Sequence, residues 1–213
     1  MTLIVYVESN FVMEIALAQE QAQAARSILA LAETAQLELV FPAFSISEPI
    51  WAVAKRGEWR KSLFSSIKQS VSQLSSDLQR SELYQQEVKT FQPITTALGT
   101  MGDEERRPLR ETIGRLLNAG RALETNSANF AKVLNYTDLS LQDAIVYATI
   151  VTDLQQRPLQ ETKCFFSRDQ KAFADPAIKS ELASFNCRYI DGFGNGLSFI
   201  SNNLGNVSPL GQP

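Results

Sequence analysis

The chain has 213 residues, of which 44% are hydrophobic, and a formal net charge of −3. This hydrophobic content is enough for a sizeable core and excludes gross disorder, and the acidic balance argues against a protein that coats polyanions in general. Histidine is absent, which excludes histidine-based zinc sites and catalytic sites of the Ser-His-Asp and Cys-His types. Acid–base or metal chemistry would have to use carboxylates, lysines, tyrosines or metal-bound water.

The two cysteines, Cys164 and Cys187, lie in separate hydrophobic runs and are too far apart in the sequence for a CxxC motif. We expect both to be buried thiols in a reducing compartment. The N-terminal apolar run is too short for a signal peptide, and no segment approaches the roughly 20 apolar residues of a membrane span. These features predict a cytoplasmic protein without membrane contact.

The first part of the chain alternates between strand and helix patterns. The apolar run 3–7 (LIVYV) is rich in β-branched residues and predicts a strand that is buried on both faces. Helices are predicted over 11–17 and 20–35, and a second strand over 37–41. A further helix over 49–55 begins with Pro49, in the first turn where a missing N–H costs nothing.

The middle of the chain predicts long helices. Apolar residues recur every three or four positions in a segment rich in serine and glutamine, which indicates an amphipathic helix over 58–98. We expect the glycine-containing segment 99–103 to end this helix and a second helix to run over 104–134. Residues 58–135 are therefore interpreted as an inserted helical hairpin.

The α/β pattern resumes after residue 135. Helices are predicted over 141–154, 176–185 and 193–204, strands over 162–166 and 187–190, and a flexible tail over 205–213. Strands separated by helices predict an α/β fold with three α/β/α layers around a central, mainly parallel sheet. We expect one domain over 1–204 that contains the hairpin.

Four short segments end a hydrophobic run with a carboxylate. Glu8 and Asp169 come just after predicted strands, whereas Glu48 and Asp143 lie in the first turns of predicted helices. In a parallel sheet these transitions meet at the edge formed by the carboxyl ends of the strands. Four carboxylates gathered there would repel one another unless one or two hard divalent ions, Mg²⁺ or Mn²⁺, bound between them. Such ions activate water for in-line attack on a phosphodiester.

The same four segments resemble the motifs of the PIN-domain nucleases, in the order of that family. They are VYV-Glu8-Ser9-Asn10-F, ISEP with Glu48, LQDAIVYATI with Asp143, and FFSRDQKAF with Asp169. The resemblance covers residues 2–56 and 138–193. It implies a Mg²⁺- or Mn²⁺-dependent ribonuclease that acts on single-stranded RNA, with Glu8, Glu48, Asp143 and Asp169 as the catalytic and metal-binding residues.

The resemblance also assigns supporting residues and leaves an alternative open. Ser9, Asn10 and Ser167 would orient the first and last carboxylates. Glu8 stands where the family usually has aspartate, and Mg²⁺ tolerates little change in ligand geometry. The alternative is therefore a catalytically weakened PIN scaffold that acts as an RNA- or protein-binding module. A phosphotransferase with an acidic pocket is a weaker rival, because the first strand lacks a DxD motif.

Cationic and aromatic residues predict the RNA contacts. Trp51 and Trp59 are interleaved with basic residues after Glu48, and such patches suit single-stranded RNA. The competing interpretation is a solvated helix end with one core tryptophan. The candidate nucleic-acid-binding residues are Lys55, Arg56, Arg60, Arg168 and Lys171. Because many PIN proteins are toxins of toxin–antitoxin pairs, the resemblance makes an antitoxin, another protein or a second copy of the chain candidate partners.

Overall fold

The structure is a computed structural model that describes residues 2–77 and 82–204. The predicted tail, 205–213, and residues 78–81 of the predicted helix 58–98 lie outside the described residues. The chain divides into two compact units. The first contains the residues up to Pro49 and those from Leu109 onward, and the second is Ile50–Pro108.

The described residues form alternating strands and helices interrupted by two long helices. In chain order the elements are β1 (Leu3–Val7), α1 (Ser9–Ala16), α2 (Ala22–Glu33), β2 (Leu37–Pro42), a short 3-10 helix (Ala43–Ile46), α3 (Ser47–Asp77), α4 (Glu82–Ala119), β3 (Gly120–Leu123), α5 (Ser127–Val133), α6 (Leu141–Leu154), β4 (Lys163–Ser167), α7 (Gln170–Phe173), α8 (Pro176–Ser184), β5 (Cys187–Asp191) and α9 (Phe193–Leu204).

The five strands of the described residues form one parallel sheet in the order β3-β2-β1-β4-β5. β1 is central: Leu3 pairs with Leu37 of β2, and Val5 pairs with Cys164 of β4. This position explains why β1 is a continuous apolar run, because both of its faces are covered. The predicted α/β class with a parallel central sheet is confirmed.

Helices cover both faces of the sheet, which confirms the three-layer arrangement. On one face a cluster of buried side chains joins the sheet to α6, α7 and α8, and includes Tyr147, Phe165 and Phe173. On the other face Phe11 of α1 meets Phe193 of α9 edge to face, with ring centres 5.3 Å apart. Both cysteines are buried free thiols, as predicted, and burial raises the pKa of Cys187 to about 12.

The prediction of a helix over 104–134 was wrong, because that segment contains a strand. α4 ends at Ala119, and the next four residues form β3, which pairs with β2. Gly120 makes this junction possible: a Cβ at this position would lie 3.1 Å from the carbonyl oxygens of Leu116 and Leu39 and from the ring of Phe41. The sequence after Gly120 has good helix formers, and pairing with β2 overrides their preference.

The predicted break at 99–103 was also wrong. α4 is continuous from Glu82 to Ala119 and contains Pro93 and Pro108. Likewise α3 begins at Ser47 and continues past the predicted end of the helix 49–55 to Asp77. A helix interior tolerates a glycine at about 1 kcal/mol, which is too little to end a long helix.

Within the unit Ile50–Pro108, a paired arginine joins α3 to α4. Arg60 donates to both carboxylate oxygens of Glu105, at 2.8 and 2.6 Å. Gly57 lies on the same side of α3, where a Cβ would be 3.5 Å from the guanidinium of Arg106. In the part of the chain that the structure describes, no helix combines the length and the apolar character needed to cross a membrane.

Candidate functional site

The strand order defines a switch point between β1 and β4. From β1 the chain continues to β2 and β3 on one side, and it then returns to place β4 and β5 on the other. Ligands of open parallel sheets bind at such a point, outside the carboxyl ends of the strands. Glu8 follows β1 directly and Ser167 is the last residue of β4, so both lie at this position.

Glu8 is only 4% exposed, and hydrogen bonds hold its side chain in place. Its Oε2 accepts a hydrogen bond from the backbone N–H of Asn10 at 2.7 Å, which caps the N-terminus of α1. Its Oε1 accepts from the hydroxyl of Ser167 at 2.9 Å. Burial raises the pKa of Glu8 to about 7, and the hydrogen bonds from Asn10, Ser167 and Ser9 oppose this rise.

The hydroxyl group of Ser9 lies between two carboxylates. Its Oγ is 2.9 Å from Oε2 of Glu8 and 2.6 Å from Oε2 of Glu48. A hydroxyl has one hydrogen and can donate to only one of these oxygens. Both contacts are satisfied when one of the two carboxyl groups is protonated and donates to Ser9 while Ser9 donates to the other. Ser9 thus links the side chains of Glu8 and Glu48 through one hydroxyl group.

Ser167 connects Glu8 to the segment of Asp169. Ser167 Oγ accepts a hydrogen bond from the backbone N–H of Asp169 at 2.9 Å while it donates to Glu8. The carboxylate of Asp169 accepts from the N–H of Ala172 at 2.9 Å and caps α7. The turn after β4 is therefore fixed from both sides, and Asp169 lies beside the end of β1.

Asp143 lies within the electrostatic field of two other carboxylates. It is partly buried in the first turn of α6, where the hydroxyl of Ser140 donates to its Oδ2 at 2.6 Å. Burial raises the pKa of Asp143, the negative charges of Asp169 and Glu48 raise it further, and the Ser140 hydrogen bond opposes the rise. All four predicted carboxylates therefore lie at the same edge of the sheet.

The present side-chain positions do not form a metal-ligand cluster. Among the described residues, no group of three or more histidine, cysteine, aspartate or glutamate side chains is arranged to hold a metal ion. The reason is visible in the contacts: Glu8 and Glu48 point to the hydroxyl of Ser9, and Asp143 points to Ser140. The donor atoms suit a hard divalent cation, since all are oxygens. Binding such an ion would require side-chain rotation and, where Glu8 is protonated, loss of its proton.

The predicted nucleic-acid-binding residues have different surroundings. The guanidinium of Arg168 contacts the buried carboxylate of Glu14 and lies 3.1 Å from Glu20, and Arg60 is paired with Glu105. These two arginines are engaged within the protein. The side chains that are exposed to solvent are Lys55, Arg56 and Lys171. The assignment of nucleic-acid contacts stays a prediction.

Two residues at this edge were missed by the sequence analysis. Ser140 holds Asp143, and the spacing Ser-x-x-Asp before an apolar run is a capping signal that could have identified it. Asp191 ends β5 opposite Ser167, and its carboxylate accepts a hydrogen bond from the side chain of Gln170. Its signal was the same as that of Glu8, a carboxylate directly after a hydrophobic strand.

Comparisons of the chain with protein-family models, with curated proteins and with solved structures found no match. The carboxylates of Glu8, Glu48, Asp143 and Asp169 at the carboxyl ends of the strands, which we call the acidic edge, are the main structural indication of function.

Proposed function

We propose that the chain is a PIN-like ribonuclease that uses Mg²⁺ or Mn²⁺ to hydrolyse phosphodiester bonds of single-stranded RNA. The observation that carries the proposal is the convergence of Glu8, Glu48, Asp143 and Asp169 at the switch point of the sheet. A structural protein gains nothing from gathering negative charges that raise the pKa of Asp143, whereas a cation site requires such charges.

The proposal assigns a role to each part of the acidic edge. The four carboxylates would hold the metal, which when bound supplies an activated water and neutralises charge on the phosphodiester. Ser167 and the N–H of Asn10 fix the orientation of Glu8. Ser140 fixes Asp143. Partners of this kind position metal ligands in proteins, and here Asp143 would also have to turn away from Ser140 to reach the ion.

The surroundings of Glu8 favour a second candidate function. Glu8 is buried, accepts hydrogen bonds from Asn10, Ser167 and Ser9, and has a pKa raised to about 7, so without a cation it releases its proton only near neutral pH. A chain that never exchanges this proton for a metal ion would keep the scaffold without the hydrolysis. The second candidate is therefore an RNA- or protein-binding module with weak or no nuclease activity.

Cleavage of a labelled single-stranded RNA in the presence and absence of Mn²⁺ distinguishes the two candidates. We expect wild-type protein to cleave with Mn²⁺ and not with EDTA. Asp143→Asn removes one negative charge from the cluster. It should lower the rate by about 100-fold or more, since loss of even a residue that supports a ligand costs about 10–100-fold.

The matched control is Asp138→Asn, the same change at an exposed residue in the segment before α6. It should cleave at the wild-type rate. Metal-independent RNA binding without cleavage by the wild-type protein would contradict the nuclease proposal and favour the binding module. Equal rates for Asp143→Asn and Asp138→Asn would show that any cleavage arises elsewhere.

A further inference from the structure

α3 presents both tryptophans of the chain to solvent on one side. Trp51 and Trp59 are each 63% exposed, and the chain has no other tryptophan. They are eight residues apart, which is about two turns and about 12 Å along the helix axis. Lys55 lies between them, one turn from each, with its Nζ 4.7 Å from the ring centre of Trp51. We call Trp51, Lys55 and Trp59 the tryptophan face.

Contacts on the opposite side of α3 fix which side of the helix faces the solvent. Val53 and Gly57 are buried, and Arg60 is paired with Glu105 of α4 within the same unit. The tryptophans are therefore not needed for the interior of the unit Ile50–Pro108. An exposed indole leaves a large apolar surface in water, and two on one helix side indicate a binding surface.

The charges around the tryptophan face select the class of ligand. The exposed charged residues from position 51 to position 61 are the cations Lys55, Arg56 and Lys61 and the anion Glu58. Three cations and one anion give these exposed side chains a net charge of +2 (3 − 1), with Lys55 between the two tryptophans, whereas the whole chain carries −3. Aromatic rings next to cations bind bases by stacking and phosphates by charge, the combination that recognises single-stranded nucleic acid.

We propose that the tryptophan face binds single-stranded nucleic acid, with bases stacked on Trp51 and Trp59 and a phosphate bound by Lys55. A duplex is excluded, because its bases are already stacked on one another. Arg60 does not belong to the surface, since Glu105 already binds its guanidinium. The proposal does not depend on the acidic edge or on hydrolysis.

Intrinsic fluorescence tests the proposal directly, because the only two tryptophans are the proposed stacking residues. The full chain is titrated in EDTA at low salt with a single-stranded RNA of about 15 nucleotides, within the range of known stacking sites. We expect saturable quenching of the emission by the single strand and none by the same sequence as a duplex. Trp51→Phe and Trp59→Phe leave one tryptophan each, and each remaining indole should be quenched.

Variants measure how much the face contributes to affinity. By anisotropy of the labelled RNA, we expect Trp51→Ala and Trp59→Ala each to weaken binding by about 5- to 100-fold. Lys55→Glu should weaken it as well and should reduce its salt dependence. The matched controls are Phe130→Ala, at an exposed aromatic residue of α5, and Lys68→Glu, at an exposed lysine of α3. Both controls should bind like the wild type.

Two results would overturn the proposal. The first is unchanged RNA affinity of the double variant Trp51→Ala/Trp59→Ala, and the second is equal binding of single strand and duplex. A sedimentation change that accompanies the first result would identify the face as a contact between copies of the chain. Thermal melting of each variant verifies that it is folded, which is expected because the substituted residues are exposed.

Discussion

The buried carboxyl group of Glu8 lies where the acidic edge meets the core of the sheet. Asn10, Ser167 and Ser9 surround it, and together they oppose but do not cancel the effect of burial on its pKa. The sequence could identify Glu8, Ser9, Asn10 and Ser167 as neighbours of a site, because each follows a hydrophobic run. It could not identify the bridge from Glu8 through Ser9 to Glu48, since that contact depends on how β1 and α3 are placed in space.

The raised pKa of Glu8 predicts how stability depends on pH without metal. Below the ordinary pKa of 4.5, Glu8 is protonated in both the folded and the unfolded chain. Its titration then does not change the free energy of unfolding with pH. As pH rises toward 7, the unfolded chain releases the proton while the folded chain keeps it, so the free energy of unfolding falls. Above about 7 the loss is complete, at roughly 3 kcal/mol.

Glu8→Gln should remove this part of the pH dependence, because glutamine has the same shape and does not titrate. Chemical denaturation in EDTA at pH 5.5 and at pH 8 measures the pH dependence of the free energy of unfolding. The free energy of unfolding should fall less between these pH values in Glu8→Gln than in wild type. The control is Glu124→Gln, at an exposed glutamate after β3. If Glu8→Gln and Glu124→Gln show the same pH dependence as wild type, Glu8 is not the buried proton carrier.

At the scale of elements, local sequence predicts four of the five strands of the described residues and does not predict β3. The strands β1, β2, β4 and β5 are apolar runs that a sequence pattern identifies, and their predicted positions are confirmed to within one or two residues. β3 has only four residues, GRAL, and three of them favour helix. Its strand conformation comes from pairing with β2, a contact that the segment itself does not encode.

Gly120 is expected to stabilise the junction between α4 and β3. Gly120→Ala places a methyl group 3.1 Å from two backbone carbonyl oxygens and from the ring of Phe41. Overpacking of this kind should lower the free energy of unfolding by about 1–3 kcal/mol. Chemical denaturation at fixed pH measures the loss.

The matched control is Gly114→Ala, in the interior of α4, where a Cβ meets no atom within 4 Å. It should raise the free energy of unfolding by about 0.5–1 kcal/mol, because alanine is the better helix former. A Gly120→Ala variant as stable as Gly114→Ala would contradict the close approach of β3 to β2.

At the scale of the whole molecule, the strand order gives the scattered carboxylates a common location. Glu8 and Asp169 are far apart in sequence, and both contact Ser167 because β1 and β4 are neighbours at the switch point. The sequence predicted a parallel sheet and the edge at which its carboxylates lie. It could not predict the order of the strands or the side-chain directions, because both depend on packing of distant segments. As a result, the Ser9 bridge and the absence of a ready metal cluster among the described residues were not anticipated.

The central claim, that the acidic edge binds a divalent cation, is tested most directly by calorimetric titration of Mn²⁺ at pH 8. The wild type and the control Asp138→Asn should bind Mn²⁺ saturably and equally, whereas Asp143→Asn and Asp169→Asn should lose that binding. At pH 6.5, binding by the wild type should also release a proton from Glu8, seen as a dependence of the heat on the buffer. No saturable binding by the wild type, or equal binding by Asp143→Asn and Asp138→Asn, would contradict the claim.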